Sequence, residues 1–215
     1  EHKSAMTTFL ESNIPFVTVG KCQFLSNAYQ VCTDNYKGAM LAMEHLLGLG
    51  HRRIAYINGP HFLPSSGERC RAYLDAMRAE NLPVTEGMIR EGGNSIESGY
   101  AATKEILSAH PDITALFVAS DYMAIGVESA VRDSGMRVPD DISIVSFDNV
   151  LYTGLSRISL TTVDYHINLL AQAAIDLLLR RTNPSADAAL LSSARFKVEC
   201  TPQLVVRRST APCRS

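Results

Sequence analysis

Short apolar runs and stretches with helical spacing alternate along most of the chain. In segment 34–50, for example, Ala39, Met43 and Leu46 recur on one helical face. The pattern predicts strands at 14–20, 53–58, 88–93, 114–120, 142–147, 195–200 and 203–208. It predicts helices at 34–50, 65–81, 95–110, 121–135 and 166–181, and the end of another helix at 6–12. Because short apolar strands alternate with helices, we expect an α/β fold with a parallel sheet covered on both faces.

Polar residues at the predicted helix starts indicate how the helices are capped. Asp34 or Asn35 can cap the first full helix, and Asp121 can cap the helix at 121–135. Ser65 followed by Glu68 matches the capping-box pattern. Two polar, turn-rich stretches, 149–165 and 182–189, are interpreted as a connection and a surface loop.

Composition is that of a globular protein and narrows the possible functions. The 215 residues, 46% hydrophobic and 20% charged, suffice for one large domain or two small ones. A net charge of -2 gives no global support for nucleic-acid binding by this chain. No apolar stretch is long enough to span a bilayer, and the first residues do not resemble a signal peptide. Five cysteines without a CxxC pair favour a reducing compartment.

Polar residues follow the predicted strands at the points where ligands bind in open α/β sheets. Ser65 and Arg69 follow the strand at 53–58, and Asn94 follows the strand at 88–93. Ser120 ends the strand at 114–120, and Asp148 directly follows the strand at 142–147. Together they predict a ring of hydrogen-bonding groups, with one cation and one carboxylate, on one edge of the sheet.

Several of these residues also have a purely structural interpretation. Ser65 can be a helix cap, Ser120 a small turn residue, and Asn94 a residue in the left-handed conformation. Arg69 lies in the first turn of a helix, where the dipole disfavours a cation, so an anion or hydroxyl ligand is the better explanation. Asp148 is the strongest candidate, because it follows a buried strand with no evident helix to cap.

Enzyme motifs are absent from the sequence. It has no GxGxxG, phosphate-binding loop, GxSxG or HExxH pattern, and its six histidines do not have metal-ligand spacing. A ring of polar groups without a nucleophile and its base is typical of a binding site. We therefore expect no enzyme activity, no cofactor and no metal.

Several segments resemble the LacI/GalR (lactose/galactose repressor) family of transcriptional regulators. They are VCTDNYKGAMLAMEHLLGLGHRRIAYINGP, SSGERCRAYLDAM, ESGYAATKEIL, TALFVASDYMAIGVESAVRDSGMRVPDDISIVSFDNV, SLTTVDY and PQLVVRRST. The resemblance covers nearly the whole chain, and the MRVPDDISIVSFDN block and the VVRRST ending are its most specific parts.

The resemblance implies a periplasmic-binding-protein-like fold with two doubly wound parallel-sheet subdomains joined by crossovers. Residues 1–33 and 163–195 would form an incomplete amino-side subdomain, and residues 34–161 and 203–210 the carboxyl-side subdomain. The first βα units and the DNA-binding headpiece of such repressors would be absent from this chain.

The family also implies a function and a ligand site. The chain would be the effector-sensing and dimerising part of a bacterial, cytoplasmic repressor, with no membrane partner, which contacts operator DNA through the absent headpiece. A sugar, sugar derivative or nucleobase would bind in the cleft between the subdomains. Arg69 and Asp148 match family ligand positions with the same residue type. Ser65 stands where relatives place a Ser or Thr near the ligand. Ser120, Asn94 and Tyr165 stand at ligand positions where relatives have Asn, an aromatic ring and Gln, respectively.

The alternative is a periplasmic sugar-binding protein of a transport system. Such a protein shares the fold and the cleft, but it needs an export signal and works as a monomer.

Overall fold

A computed structural model describes residues 12, 14–21, 29–154, 159–182 and 197–214. The predicted helix end at 6–12 and the loop at 182–189 lie outside these residues, apart from Ser12 and Thr182. The strands are β1 (Val17–Val19), β2 (Tyr29–Thr33), β3 (Ile54–Asn58), β4 (Ile89–Glu91), β5 (Ala115–Val118), β6 (Ser143–Asp148), β7 (Thr161–Asp164), β8 (Lys197–Cys200) and β9 (Gln203–Val205). The helices are α1 (Asn35–Gly48), α2 (Pro64–Ala79), α3 (Ile96–Ala109), α4 (Asp121–Asp133) and α5 (Ile167–Thr182), with a 3-10 turn at Leu151–Gly154.

The chain divides into two compact units. The smaller unit comprises Glu1–Cys32 and Asn168–Cys200, and its sheet has the order β1-β2-β8, with β1 and β2 parallel. The larger unit comprises Thr33–Ile167 and Thr201–Ser215. Its six-stranded sheet has the order β4-β3-β5-β6-β7-β9, in which only β9 is antiparallel. The parallel α/β architecture is the one that the sequence pattern predicts.

The core of the larger unit lies on both faces of its central strands. Every residue of β5 is buried, as are the first four residues of β3 and the first five of β6. Tyr56 of β3 stacks between Tyr73 of α2 and Phe117 of β5, with ring centroids 5.3 and 4.8 Å away. Because β3 to β7 run in the same direction, their carboxyl ends meet at one edge of the sheet.

Two strands were missed by the sequence pattern. The first, β2, precedes α1. The second, β7, lies within the stretch 149–165 that the pattern assigns to a connection, and it pairs with β6 and β9. Its threonines look polar, yet they are β-branched and buried, and the hydroxyl of Thr162 donates to Asp121. Residues 163 and 164 therefore belong to the larger sheet and not to the amino-side subdomain predicted for 163–195.

Two predicted helix caps are also wrong. Helix α2 begins at Pro64 with Leu63 as its N-cap, so Ser65 makes no capping bond; proline is favoured at the first helical position because its φ is already helical. Ser120, and not Asp121, caps α4 by accepting the backbone N–H of Met123. The prediction for Asp34 is confirmed, since its carboxylate accepts the N–H of Lys37 at 2.9 Å.

No helix in the described part of the chain combines the length and the hydropathy needed to cross a membrane.

Candidate functional site

Residues that follow β3, β5, β6 and β7 converge at the carboxyl edge of the larger sheet, which we call the rim. Arg69 comes from α2, Ser120 and Asp121 open α4, and Asp148 is the last residue of β6. In the sheet, β4 is the neighbour of β3 on one side, and β5, which follows β4 in the chain, is its neighbour on the other side. Such a reversal in strand order opens a crevice in which ligands of doubly wound folds bind.

Arg69 is held in one orientation by several contacts. Its Nε and Nη2 both donate to Oδ1 of Asn35, at 3.1 and 2.9 Å, and its Nη1 donates to the carbonyl of Ala119. The guanidinium carbon lies 3.6 Å from the ring centroid of Phe147, a cation–π arrangement. Its side chain is only 13% exposed. A fork of donors fixed in this way suits a ligand oxygen better than a flexible cation does.

Asp148 lies beside Arg69, and the structure brings these two predicted residues together. Its Oδ1 is 3.9 Å from Nη2 of Arg69. Burial raises the pKa of Asp148 to about 7; the charge of Asp121 adds to this increase, while Arg69 opposes it. Near neutral pH this carboxyl group can therefore accept or donate a hydrogen bond.

Asp121 is fully buried directly behind Asp148. Its Oδ1 accepts the hydroxyls of Ser146 and Thr162, and its Oδ2 accepts the backbone N–H of Val150 at 2.9 Å. Burial raises its pKa, and these hydrogen bonds limit the rise. Asp121 thus links α4 to β6, to β7 and to the chain that leaves β6.

The side chain of Asn149 also fixes the turn after β6, through hydrogen bonds to other segments. Its Nδ2 donates to Oδ2 of Asp164 at 3.0 Å, and its Oδ1 accepts Nη2 of Arg207 at 2.7 Å. Arg207 also donates to the carbonyl of Leu160 at 2.8 Å. The residue after Asp148 is therefore fixed by β7 and by the chain that follows β9.

The remaining predicted site residues have different environments. Tyr165 follows β7 half-buried, with its ring parallel to that of Phe147 at a centroid distance of 6.5 Å. Burial and the nearby Asp148 raise the pKa of Tyr165. Ser120 is buried and capping, whereas Ser65 is half-buried and Asn94 is exposed with φ +65°. Among the residues that the structure describes, Ser65 and Asn94 make no hydrogen bond to Arg69 or Asp148.

Three residues of this cluster were not singled out from the sequence. Asn35, which binds Arg69, was considered only as a helix cap, and Phe147 only as part of a strand. Arg207 belongs to the VVRRST ending, which was noted without a role for its charge. The sequence signal for the contact between Arg69 and Phe147 is the position of Phe147 directly before Asp148, since an aromatic ring next to a carboxylate offers a surface on which a cation can pack.

Large apolar side chains border the rim. Phe62 and Leu63 follow β3 and are 70% and 38% exposed, and Leu151 follows β6 and is 86% exposed. Tyr122, in the first turn of α4, is 49% exposed. The rim therefore combines a polar centre with apolar side chains on the loops around it.

Comparison with known proteins gives consistent matches. The family described as periplasmic binding protein-like domain matches residues 43–210. Two curated relatives, each named HTH-type transcriptional repressor PurR, come from Photorhabdus laumondii and Edwardsiella ictaluri. Each is 35% identical to this chain, over 92% and 93% of its length. The chain spans only 56% and 57% of these relatives.

Solved structures of regulators share the fold. A complex of the transcriptional regulator CelR with cellobiose is 29% identical with a TM-score of 0.82, covering 91% of this chain and 58% of that one. A LacI family regulator from Enterococcus faecalis with bound ribose is 27% identical with a TM-score of 0.83, covering 100% of this chain and 75% of that one.

Proposed function

Because the chain belongs to the LacI/GalR family, as an effector-binding core with the periplasmic-binding-protein-like fold, we propose that it senses a small effector for a bacterial transcriptional repressor. The observation that carries the proposal is the Arg69–Asp148 pair, fixed 3.9 Å apart on the rim. The role proposed for the pair is binding and not catalysis.

The chemistry of the rim favours a sugar, a sugar derivative or a nucleobase. Arg69 offers a rigid set of donors, and Asp148 offers a carboxyl group that either donates or accepts near neutral pH. Ligands with several hydroxyl, amide or ring-nitrogen groups match such a set. The same ligands have an apolar ring face, for which Phe62 and Tyr122 supply exposed aromatic surface. The complexes of similar regulators with cellobiose and ribose support this class.

The partners we propose follow from the curated relatives, of which this chain spans little more than half. The whole protein would be a homodimer in the cytoplasm and would bind operator DNA through a segment outside this chain. A dimer presents two headpieces to a pseudo-palindromic operator. Sedimentation of the full-length protein at micromolar concentration tests this point, because a monomer would favour a transport-type binding protein instead.

The ligand site is tested by calorimetric titration with D-ribose, cellobiose and purine bases. We expect at least one of them to bind, and Asp148→Asn to weaken its affinity by about tenfold or more, since a hydrogen bond with a charged partner is lost. Asparagine keeps the shape of the side chain, and the backbone cost of the positive φ is common to both residues, so the fold should persist.

Arg69→Ala should weaken the affinity for the same ligand by a similar factor, but it should also lower the free energy of unfolding. Arg69 packs on Phe147 and against Asn35, so its removal also takes away contacts that hold the fold. Arg137→Ala is the matched control, because Arg137 pairs with Asp141 in an exposed turn before β6, at the opposite end of the sheet. Unchanged affinity in both rim variants would contradict the proposed site.

A further inference from the structure

The turn that ends β6 has an unfavourable backbone conformation. Asp148 has φ +123° and Asn149 has φ +57°, so two successive residues with side chains lie at positive φ. Asparagine tolerates the left-handed region, but +123° lies outside it and is costly for any residue with a Cβ. Such a turn persists only where surrounding groups hold it, so the groups that hold it determine where the Asp148 carboxylate points.

Asp121 contacts this turn directly beyond the strained residue. Its Oδ2 accepts the N–H of Val150, two residues after Asp148, at 2.9 Å. The backbone N–H of Asp121 also lowers the pKa of the Asp148 carboxyl group. The same residue therefore binds the backbone beyond Asp148 and affects the charge state of the Asp148 side chain.

Asp121 is itself fixed on the side away from the turn. Thr162 of β7 and Ser146 of β6 both donate to its Oδ1, the former at 2.7 Å. Because the side chain is fully buried, no water competes for its oxygens. The position of Oδ2 is thereby set by two neighbouring strands of the sheet.

We propose that Asp121 is a positioning residue, which holds the Asp148–Asn149 turn so that the carboxylate of Asp148 faces the ligand on the rim. The ligand part of this inference rests on the proposed function, whereas the holding of the turn does not. A role limited to joining α4 to the sheet would need only the bonds to Ser146 and Thr162. The bond to Val150 goes beyond that role.

Electrostatics gives this role a measurable signature. The groups whose charges interact with Asp148 are Arg69 of α2, Asp121 of α4, Tyr152 of the 3-10 turn and Tyr165 after β7. Of these, Asp121 is a carboxylate whose charge disfavours ionisation of Asp148. Removing its charge should lower the pKa of Asp148.

The test uses Asp121→Asn in this chain, with Ser146→Ala as the matched control. Asparagine can keep its oxygen toward Ser146 and Thr162, but it then presents an NH2 group to the N–H of Val150. The alanine variant removes one donor to the same carboxylate and leaves the contact with Val150 intact. The exchange rate of the Val150 amide and the 13C titration of the Asp148 carboxyl are both measured by NMR.

For Asp121→Asn we expect exchange at Val150 to accelerate by about tenfold, and the pKa of Asp148 to fall. For Ser146→Ala we expect exchange close to that of the wild type. Exchange and titration that stay at wild-type values in Asp121→Asn would overturn the proposal. If that variant does not fold, the wild-type protein still provides a test, since an unprotected Val150 amide would also overturn it.

Neither NMR measurement requires a ligand. A failed screen of sugars and nucleobases would therefore count against the proposed function alone. If a ligand is found, Asp121→Asn should weaken its binding, although Asp121 is fully buried behind Asp148.

Discussion

Asp148 combines a positive φ with a carboxyl group whose pKa is near 7. Both properties oppose stability at neutral pH, because the backbone is strained and the charged form of the side chain is poorly solvated. A residue that only served the fold would not need either property. At the residue scale, this combination is typical of a position that lowers the stability of the fold and contacts a ligand.

The pH dependence of stability should reveal this carboxyl group. The pKa of Asp148 is about 7 in the folded chain, against 3.8 for a free side chain. The protonated carboxyl group therefore adds to the free energy of unfolding below about pH 4, and this contribution is lost as pH rises through about 7. Asp148→Asn does not titrate. Its stability relative to wild type should therefore increase by about 2–3 kcal/mol between about pH 5 and about pH 8. Urea unfolding at both pH values measures the change, and a difference that does not vary with pH would contradict this assignment.

At the scale of elements, helices α3 and α4 cross at two glycines. A Cβ on Gly99 would overlap the carbonyl oxygen of Met123, and a Cβ on Gly126 would overlap that of Ile96. The two backbones are therefore in direct contact, and α4, whose first residues form part of the rim, depends on this contact for its position.

Gly126→Ala should destabilise the chain by about 2 kcal/mol or more, since the helices must separate to accept a methyl group. Gly67→Ala in α2 is the matched control, because a Cβ there meets no atom within 4 Å. That variant should be neutral or should stabilise the chain by about 0.5–1 kcal/mol through helix propensity. Thermal unfolding of both variants measures the contrast, and equal effects would show that the crossing can relax.

The elements that sequence patterning predicted are those with apolar residues at a regular period, such as α1, β3 and β5. Strand β7 was missed because its threonines satisfy their hydroxyls on Asp121 and Arg207, contacts from distant parts of the chain. The rim was predicted in outline, because residues after parallel strands must share one edge. The roles of Asn35 and Asp121 could not be predicted, because they depend on the distance and orientation of side chains that are far apart in sequence.

At the scale of the whole molecule, His51 joins several segments of the larger unit. Its ring nitrogens lie 3.0 Å from hydroxyls of Thr114 and Ser143, and Nε2 lies 3.1 Å from the carbonyl of Ala211. Burial lowers the pKa of His51, and the nearby His45 also lowers it. The turn between α1 and β3 is thus tied to the segment around Ala211.

Acidification should therefore weaken the larger unit. The folded chain keeps His51 neutral, whereas the unfolded chain takes up a proton below about pH 6.5, so this contribution is present above that pH and is lost as pH falls through the lowered pKa of the folded chain. The stability difference between wild type and His51→Gln should shrink from about pH 7.5 to about pH 5. Chemical unfolding across this range measures it, and above about pH 7.5 the difference should be constant. A difference that stays constant down to about pH 5 would show that His51 does not titrate in this way.

The larger unit is built from two separated stretches of chain, with residues 168–200 of the smaller unit between them. During translation, β3 to β7 leave the ribosome well before β9 and the arginine that binds Asn149. Until then β7 is an edge strand, with unpaired backbone groups open to other nascent chains. Completion of the sheet must wait until β9 is synthesised, so premature termination after β8 should yield an aggregation-prone product, even though all the residues proposed to contact the ligand have been made.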